Sequence, residues 1–391
     1  MNYRPAKRLD DVKMSSIRIM MEKAQALREQ GHQVISLSAG EPNFNTPEEI
    51  KVQTKIALDN NETHYSSNRG NLKLRQEISK FLKENTNVEY DPNTEIIVTA
   101  GCEEALHNTI HSLIDLGDEV IIFTPAFVSY VSLVQMCGGI PIEVPLKAED
   151  QFQINPERLK EAITSKTKCI VMNNPNNPTG SVYTEEVLKA VCDIAIENDL
   201  LVLSDEVYSA ITYEQEFKSV ASFPGMKERT FVINGFSKMY AMTGWRLGYV
   251  ACDEKLVDGV LRIHQYSSTS CSTFSQVGLA EAMSKESVKQ DVKTMVTAFS
   301  QRRNEVMKQL DSIKNLSYVK PQGAFYIMVD VSKTGLTGQE FADQLLEKEH
   351  VATVPAVGLG KECVDFIRIS FASSMEDIQE GFARIARFCE K

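Results

Sequence analysis

No window of about 18 uncharged apolar residues occurs in the 391-residue chain, so the sequence offers no segment suited to crossing a bilayer. The first 27 residues mix Arg, Lys, Asp and Met without an apolar stretch and do not read as a secretory signal. Positive charge is scarce. Lys and Arg total 42 against 53 Asp and Glu, a net charge of −11. That balance excludes the basic face that nucleic acid requires and speaks against anionic membrane surfaces, so a phosphate on any ligand must be held by a local site. Eight cysteines are scattered at 102, 137, 169, 192, 252, 271, 363 and 389. None forms a CxxC pair or joins histidines at zinc spacing, so no metal is expected; they read as free thiols of a reducing compartment, the cytoplasm. Internal repeats, low-complexity tracts and long linkers are also missing.

What is present is an ordinary globular composition, 42% hydrophobic and 24% charged, at a length with room for two domains. Short, nearly continuous apolar runs alternate with amphipathic stretches. The runs are Glu95–Thr99, Glu119–Phe123, Ile140–Val144, Cys169–Met172, Leu200–Leu203, Phe231–Ile233 and Leu247–Ala251. Runs of this kind suit strands buried on both faces of a sheet, and segments such as Thr184–Asn198, apolar at three- and four-residue spacing, predict helices. The alternation implies an α/β fold with a mostly parallel central sheet and helices on both faces. From about residue 285 the pattern changes to a helix from Glu286 to about Leu310, a strand Ala324–Val329, a helix Gly338–Lys348, a strand Phe366–Phe371 and a helix Met375–Phe388. The expected division is an N-terminal helix (Met14–Gln30) and arm in residues 1–45, a large α/β domain over 46–285, and a smaller α+β domain over 286–391 that packs with the arm.

The chemistry concentrates just after the apolar runs. In Asn234-Gly-Phe-Ser-Lys238-Met-Tyr-Ala-Met-Thr-Gly-Trp-Arg246, a lysine among small residues follows a strand, and an arginine stands eight positions on. Such a lysine can form a Schiff base with an aldehyde cofactor, while Ser237 and Arg246 could hold the cofactor's phosphate. Its plain alternative is a solvated surface lysine. Asp205, in Ser204-Asp-Glu-Val-Tyr208, is either a helix cap or the partner of a pyridinium nitrogen, with Tyr208 close enough to reach the ring's phenolic oxygen. Asn173-Asn-Pro-Asn-Asn177-Pro-Thr-Gly180 specifies a rigid loop more tightly than a structural turn needs, and rigidity would hold an Asn amide against a ligand oxygen.

Other signals are weaker alone. Gly101 opens a helix on which the N–H groups of Cys102 and Glu103 could meet an anion, or is simply a β–α turn. Phe127 could stack on a flat ring, or be core. Arg368, inside an apolar strand, either faces water at an edge or captures a carboxylate with its planar fork. Ligands in open α/β sheets bind at the carboxyl ends of strands, where most of these residues fall.

On these motifs the chain resembles the class I/II aminotransferases of pyridoxal phosphate fold type I, from about Ile17 to the C-terminus. It is similar to the bacterial and archaeal subgroup with an Asn-Asn-Pro-Thr-Gly loop and a Ser-Lys-x-x-x-Met-Thr-Gly-Trp-Arg block. The resemblance implies pyridoxal 5′-phosphate as cofactor, with Lys238 as the Schiff-base lysine, Asp205 as the pyridine-nitrogen partner, and Asn177 and Tyr208 as donors to the ring oxygen. It places Phe127 on the ring face, and Gly101, Cys102, Glu103, Ser237 and Arg246 around the phosphate. Tyr65 is implied to reach the phosphate in a neighbouring subunit, which implies a homodimer with shared active sites. Arg368 is implied to bind the substrate carboxylate, with the backbone near Ala39 and Gly40.

Phe127 replaces the Trp of several aspartate-specific relatives, and Cys102 stands where a hydroxyl residue or Ala is common. No arginine clearly matches their side-chain carboxylate binder; Arg262 and His264-Gln265-Tyr266 lie in that region of the sequence. The expected activity is a ping-pong transfer of the amino group of an L-amino acid, neutral or aromatic ahead of aspartate, to a 2-oxo acid such as 2-oxoglutarate. A C–S β-lyase on the same scaffold is the closest rival. A cofactor-binding regulator is the next, disfavoured because this acidic chain has no room for a basic DNA-binding domain.

Overall fold

The computed structural model describes residues 4–390. The chain enters through the helix Ser16–Glu29 and a two-residue strand, β1 (Ile35–Ser36). Helices Glu48–Asp59 and Leu72–Thr86 precede the main sheet. Its strands are β2 (Ile96–Thr99), β3 (Glu119–Thr124), β4 (Ile140–Pro145), β5 (Thr167–Asn173), β6 (Leu201–Asp205), β7 (Thr230–Gly235) and β8 (Gly248–Ala251). They lie in the order β2-β8-β7-β6-β5-β3-β4. Every neighbouring pair from β4 to β7 is parallel, and β8 runs antiparallel to both β7 and β2. The seven expected runs all become strands; five are longer than expected, by one or three residues, and the first and last are one residue shorter.

Alternate residues explain why those runs are nearly continuous in apolar side chains. Leu203, Ile233, Val250 and Ile97 enter one buried cluster, while Val202 and Ile170, or Val232 and Val98, enter clusters on the opposite face. Each such side chain contributes about 1.5–3 kcal/mol on burial, so a polar residue on either face of the sheet would be costly.

The second module begins with the helix Glu286–Asp311. A four-stranded sheet follows, formed by β9 (Ser317–Tyr318), β10 (Tyr326–Asp330), β12 (Val354–Pro355) and β13 (Phe366–Ser370) in the order β12-β13-β10-β9, all antiparallel. Between them, β11 (Val351–Ala352) pairs in parallel with β1. The helix Gly338–Glu349 starts on a capping box formed by Thr337 and Glu340, and the helix Met375–Cys389 closes the chain. The helix Ser16–Glu29 contacts β11 and β12. No helix of the described residues is long and apolar enough to cross a membrane.

The parallel arrangement puts the carboxyl ends of β2, β3, β5, β6 and β7 along one edge of the main sheet. Register brings Asn173 level with Asp205, and Asp205 level with Ile233. The segments that leave this edge carry Gly101, Cys102, Glu103, Phe127, Asn177, Asp205, Tyr208, Ser237, Lys238 and Arg246, while Arg368 comes from β13 of the smaller sheet.

Candidate active site

A cavity of about 280 Å³ opens at that edge, and it is lined by Gly40, Cys102, Glu103, Phe127, Asn177, Asp205, Tyr208, Ser237, Lys238, Arg246 and Arg368 from the sequence reading. Tyr130, Asn173, Val207, Tyr326, Ile17 and Leu106 complete its wall.

Lys238 sits on a four-residue helix, Phe236–Met239, that follows β7 directly. Its Nζ donates to the carbonyl of Gly40. Burial lowers its pKa to about 8, because a charged ammonium loses hydration there. A surface lysine would show none of this.

Asp205, at the end of β6, is 4% exposed. Oδ2 accepts from the Tyr130 hydroxyl at 2.7 Å and Oδ1 from the Val207 N–H at 3.1 Å. Burial raises its pKa to about 6, against the lowering effect of those hydrogen bonds. No salt bridge joins it to a cation among the described residues, although the charge of nearby Lys238 is felt there.

The Asn-rich loop is buried from residue 173 to 183, and its asparagines divide the work. Asn173 Oδ1 accepts from the Asn177 N–H at 2.7 Å, and its Nδ2 donates to the Asp205 carbonyl at 3.0 Å. Asn174 Oδ1 accepts from the Tyr183 N–H at 3.0 Å, and Asn176 Oδ1 accepts from both the N–H and the hydroxyl of Thr179. Gly180 closes the loop with φ +70°, where an added Cβ would lie 2.5 Å from the Tyr326 carbonyl oxygen. So held, Asn177 accepts from Arg368 Nη1 at 3.1 Å through Oδ1, which leaves its Nδ2 as a free donor.

Arg368 is 1% exposed on β13, with β12 and β10 on either side, which removes the reading of an edge residue facing water. Nη2 donates to the Ser38 carbonyl at 2.8 Å, the guanidinium lies 4.5 Å from the centre of the Tyr326 ring, and Nε has no partner. Burial lowers its pKa, yet no carboxylate balances it. A buried guanidinium held by neutral groups is chemically suited to a carboxylate, which its planar fork can meet with two parallel hydrogen bonds.

The anion end of the cavity is built by Gly101, Cys102, Ser237 and Arg246. Gly101 has φ +81°, and an added Cβ would lie 2.7 Å from Arg246 Nη2, so only glycine fits. The helix Cys102–Leu113 starts there, leaving the N–H groups of Cys102 and Glu103 without partners inside the helix. Arg246, at φ +55°, donates only to the carbonyls of Thr243 (3.1 Å) and Ala100 (3.4 Å). Burial pushes the Cys102 thiol well above its ordinary pKa, so it contributes backbone and packing, not a thiolate.

Several predicted residues stand elsewhere. Ala39 lines a separate depression with Glu41 and Pro42, not this cavity. Tyr65 is 87% exposed beside His64 and Arg75 in another depression, outside the cavity of its own chain. Arg262 pairs with Asp258 at 2.7 Å, and His264 is buried against Glu104 at 2.8 Å; neither lines the cavity.

Sequence reasoning missed two tyrosines and one glutamate. Tyr130 belongs to the same segment as Phe127, but nothing in its spacing announces the bond to Asp205. Tyr326 meets the Tyr208 hydroxyl at 2.9 Å while facing Arg368, and reads in the sequence as one more apolar strand residue. Glu104 fastens the phosphate-side turn: it accepts from the Ala100 N–H, and from His264 Nδ1, Ser268 Oγ and Asn108 Nδ2. Those bonds overcome its desolvation and hold its pKa down at about 2.

The family model for aminotransferase class I and II matches residues 32–385. The chain is 42% identical to an aspartate aminotransferase of Pyrococcus abyssi, with 97% of each chain covered. It is 39% identical to the aromatic-amino-acid aminotransferase 2 of Thermococcus litoralis, again over 97% of each. Among solved structures, the aspartate aminotransferase of Thermus thermophilus with maleate superposes with a TM-score of 0.94 at 35% identity, covering 99% of this chain and 100% of that one. With that match over nearly its whole length, the chain belongs to the class I and II aminotransferases and is a transaminase.

Proposed function

We propose that the chain binds pyridoxal 5′-phosphate in this cavity and moves the amino group of a neutral or aromatic L-amino acid to a 2-oxo acid in two half-reactions at one site. The observation that carries the reading is the company Lys238 keeps. A partly buried amine, a buried carboxylate without an ion-pair partner and a buried guanidinium lacking an anion share one cavity.

The donor set fits the cofactor. Lys238 would hold its aldehyde carbon, Asp205 its ring nitrogen, Asn177 and Tyr208 its phenolic oxygen, and Phe127 its ring face. Its phosphate would meet Ser237, Arg246 and the N–H groups that follow Gly101. When bound, the group supplies an electron sink that makes the substrate Cα–H acidic. The chain does the rest. Arg368 would fix the α-carboxylate in the fork left open at Nε; Lys238, released from the aldehyde carbon as the substrate's amine takes its place there, would take the Cα proton on Nζ and return it to that same carbon; and Asp205 would keep the ring nitrogen's proton in place. In this reading residues 46–285 carry the cofactor, while 1–45 and 286–391 carry the substrate's carboxylate. A second copy would bring its exposed Tyr65 to the phosphate, making the homodimer the working unit. Eight free thiols suit a reducing compartment such as the cytoplasm.

The test is a visible spectrum of the cofactor-loaded protein during addition of single amino acids without an acceptor. A stoichiometric spectral change with release of one equivalent of 2-oxo acid is expected for amino transfer. Continuous production of pyruvate and ammonia from cysteine-type substrates would replace this reading by the β-lyase. Within the same assay, Arg368→Lys is expected to raise the donor KM by about 10²-fold with a smaller change in kcat, because a point charge cannot reproduce the fork.

A further inference from the structure

We propose that Glu103 is a specificity-determining residue, one that turns the pocket away from amino acids bearing a second carboxylate and toward uncharged, aromatic side chains. The inference rests on the functional reading above and adds the substrate class to it. An acidic donor such as aspartate brings two carboxylates, and each must be neutralised once water leaves. The cavity is lined by three cations, Lys238, Arg246 and Arg368. In the proposed reaction all three are committed, Lys238 to holding the aldehyde and then moving the Cα proton, Arg246 to the phosphate and Arg368 to the substrate's α-carboxylate. What remains for the side chain is apolar wall (Ile17, Leu106) and one further charge, which has the wrong sign.

That charge is Glu103, on the first turn of the helix Cys102–Leu113. Its carboxylate is exposed and has neither a hydrogen-bond nor an ion-pair partner among the described residues. It is felt inside the cavity: it helps to raise the pKa of the buried Tyr130 phenol and of Asp205. Lys13 lines the adjoining cavity across Phe127 and not this one. A second substrate carboxylate would therefore meet like charge, whereas a ring would meet Ile17 and Leu106. Selectivity of this kind comes from a repulsive element as much as from an attractive one.

The experiment titrates cofactor-loaded protein with two unreactive acids, maleate and 3-phenylpropionate, read by the cofactor's absorbance. The wild type is expected to bind 3-phenylpropionate about tenfold more tightly than maleate, and Glu103→Gln to tighten maleate about tenfold while moving 3-phenylpropionate by less than about twofold. The second ligand controls for misfolding or a disturbed phosphate site. The ratio of kcat/KM for aspartate over phenylalanine should rise in parallel. Wild-type protein that binds maleate as tightly as 3-phenylpropionate would overturn the proposal, as would a ratio untouched by Glu103→Gln. Tight maleate binding that disappears in Lys13→Ala would assign the second carboxylate to the neighbouring cavity instead. Amino transfer that prefers aspartate refutes Glu103 and leaves the proposed reaction standing, whereas no transfer from any amino acid refutes the reaction itself.

Discussion

Replacing Lys238 by alanine is expected to abolish turnover, with kcat falling by about 10⁴-fold or more, because one side chain supplies both the attachment point and the proton-transfer group. The neighbouring structure should survive. Among the described residues the Lys238 side chain makes one hydrogen bond, to the Gly40 carbonyl, while Phe236 and Met239 on the same short helix stay buried in the apolar cluster beside β7. Melting temperature within a few degrees of wild type, together with retained but non-covalent cofactor binding, would separate chemical loss from collapse. A variant that keeps full kcat would remove Lys238 from the mechanism. The wild type adds a pH signature. With the amine's pKa lowered to about 8 by burial, the uncharged nucleophile forms as pH rises through that value. The rate of covalent capture of pyridoxal phosphate by cofactor-free protein should climb to about pH 8 and level off above it. An ordinary exposed lysine would keep climbing past pH 10.

Asp205→Asn should lower kcat on the order of 10³-fold, the scale on which loss of one preorganised electrostatic partner acts. The same substitution should stabilise the protein that lacks the cofactor. Burial raises the Asp205 pKa to about 6 in the folded chain, above the 3.8 ordinary for an aspartate. Folded protein therefore holds this proton more tightly than unfolded protein. Its contribution to stability is present below about pH 4 and is lost as pH rises through about 6, leaving a deficit of about 3 kcal/mol at neutral pH. The asparagine variant escapes that loss, so its denaturant midpoint should exceed that of wild type at pH 7 and approach it at pH 4. Saturation with cofactor should reverse the order at pH 7, since only the carboxylate gains a cation. Equal midpoints at both pH values, without cofactor, would mean that Asp205 is balanced by a partner inside the protein.

Much of the fold was legible because the sheet is covered on both faces. Burial on each side demands apolar residues at successive positions, and runs such as Leu200–Leu203 announce themselves without alternation. The two-residue strands β1 and β11 were not legible. Ile35-Ser36 and Val351-Ala352 carry no period, and only their pairing across the whole chain defines them. The candidate site was readable where one residue type has few reasons to occur, as with Lys238, Asp205 and the Asn-Pro loop. Arg368 was ambiguous because a charge in an apolar strand suits an edge as well as a buried receptor, and the register with Met328 and Val354 decides it. Tyr130 and Tyr326 stayed invisible because their hydroxyls act through partners 75 and 118 residues distant.

The pairing of β1 with β11 ties the two ends of the polypeptide together, and this sets an order on synthesis. Ile35 and Leu37 donate N–H groups to the carbonyls of His350 and Ala352, Leu37 accepts from Ser370, and Arg384 reaches back to Gln33. Even the Ser38 carbonyl that holds Arg368 belongs to this early segment. The main sheet can close once residue 251 has emerged, yet the first strand must wait for residues beyond 350. At about 5–20 residues per second, that is an interval of roughly 15–60 s in which an apolar strand and its free edge stand uncovered on the ribosome. The contact between Arg368 and the Ser38 carbonyl, which shapes one side of the cavity, likewise forms only after residue 368 has emerged.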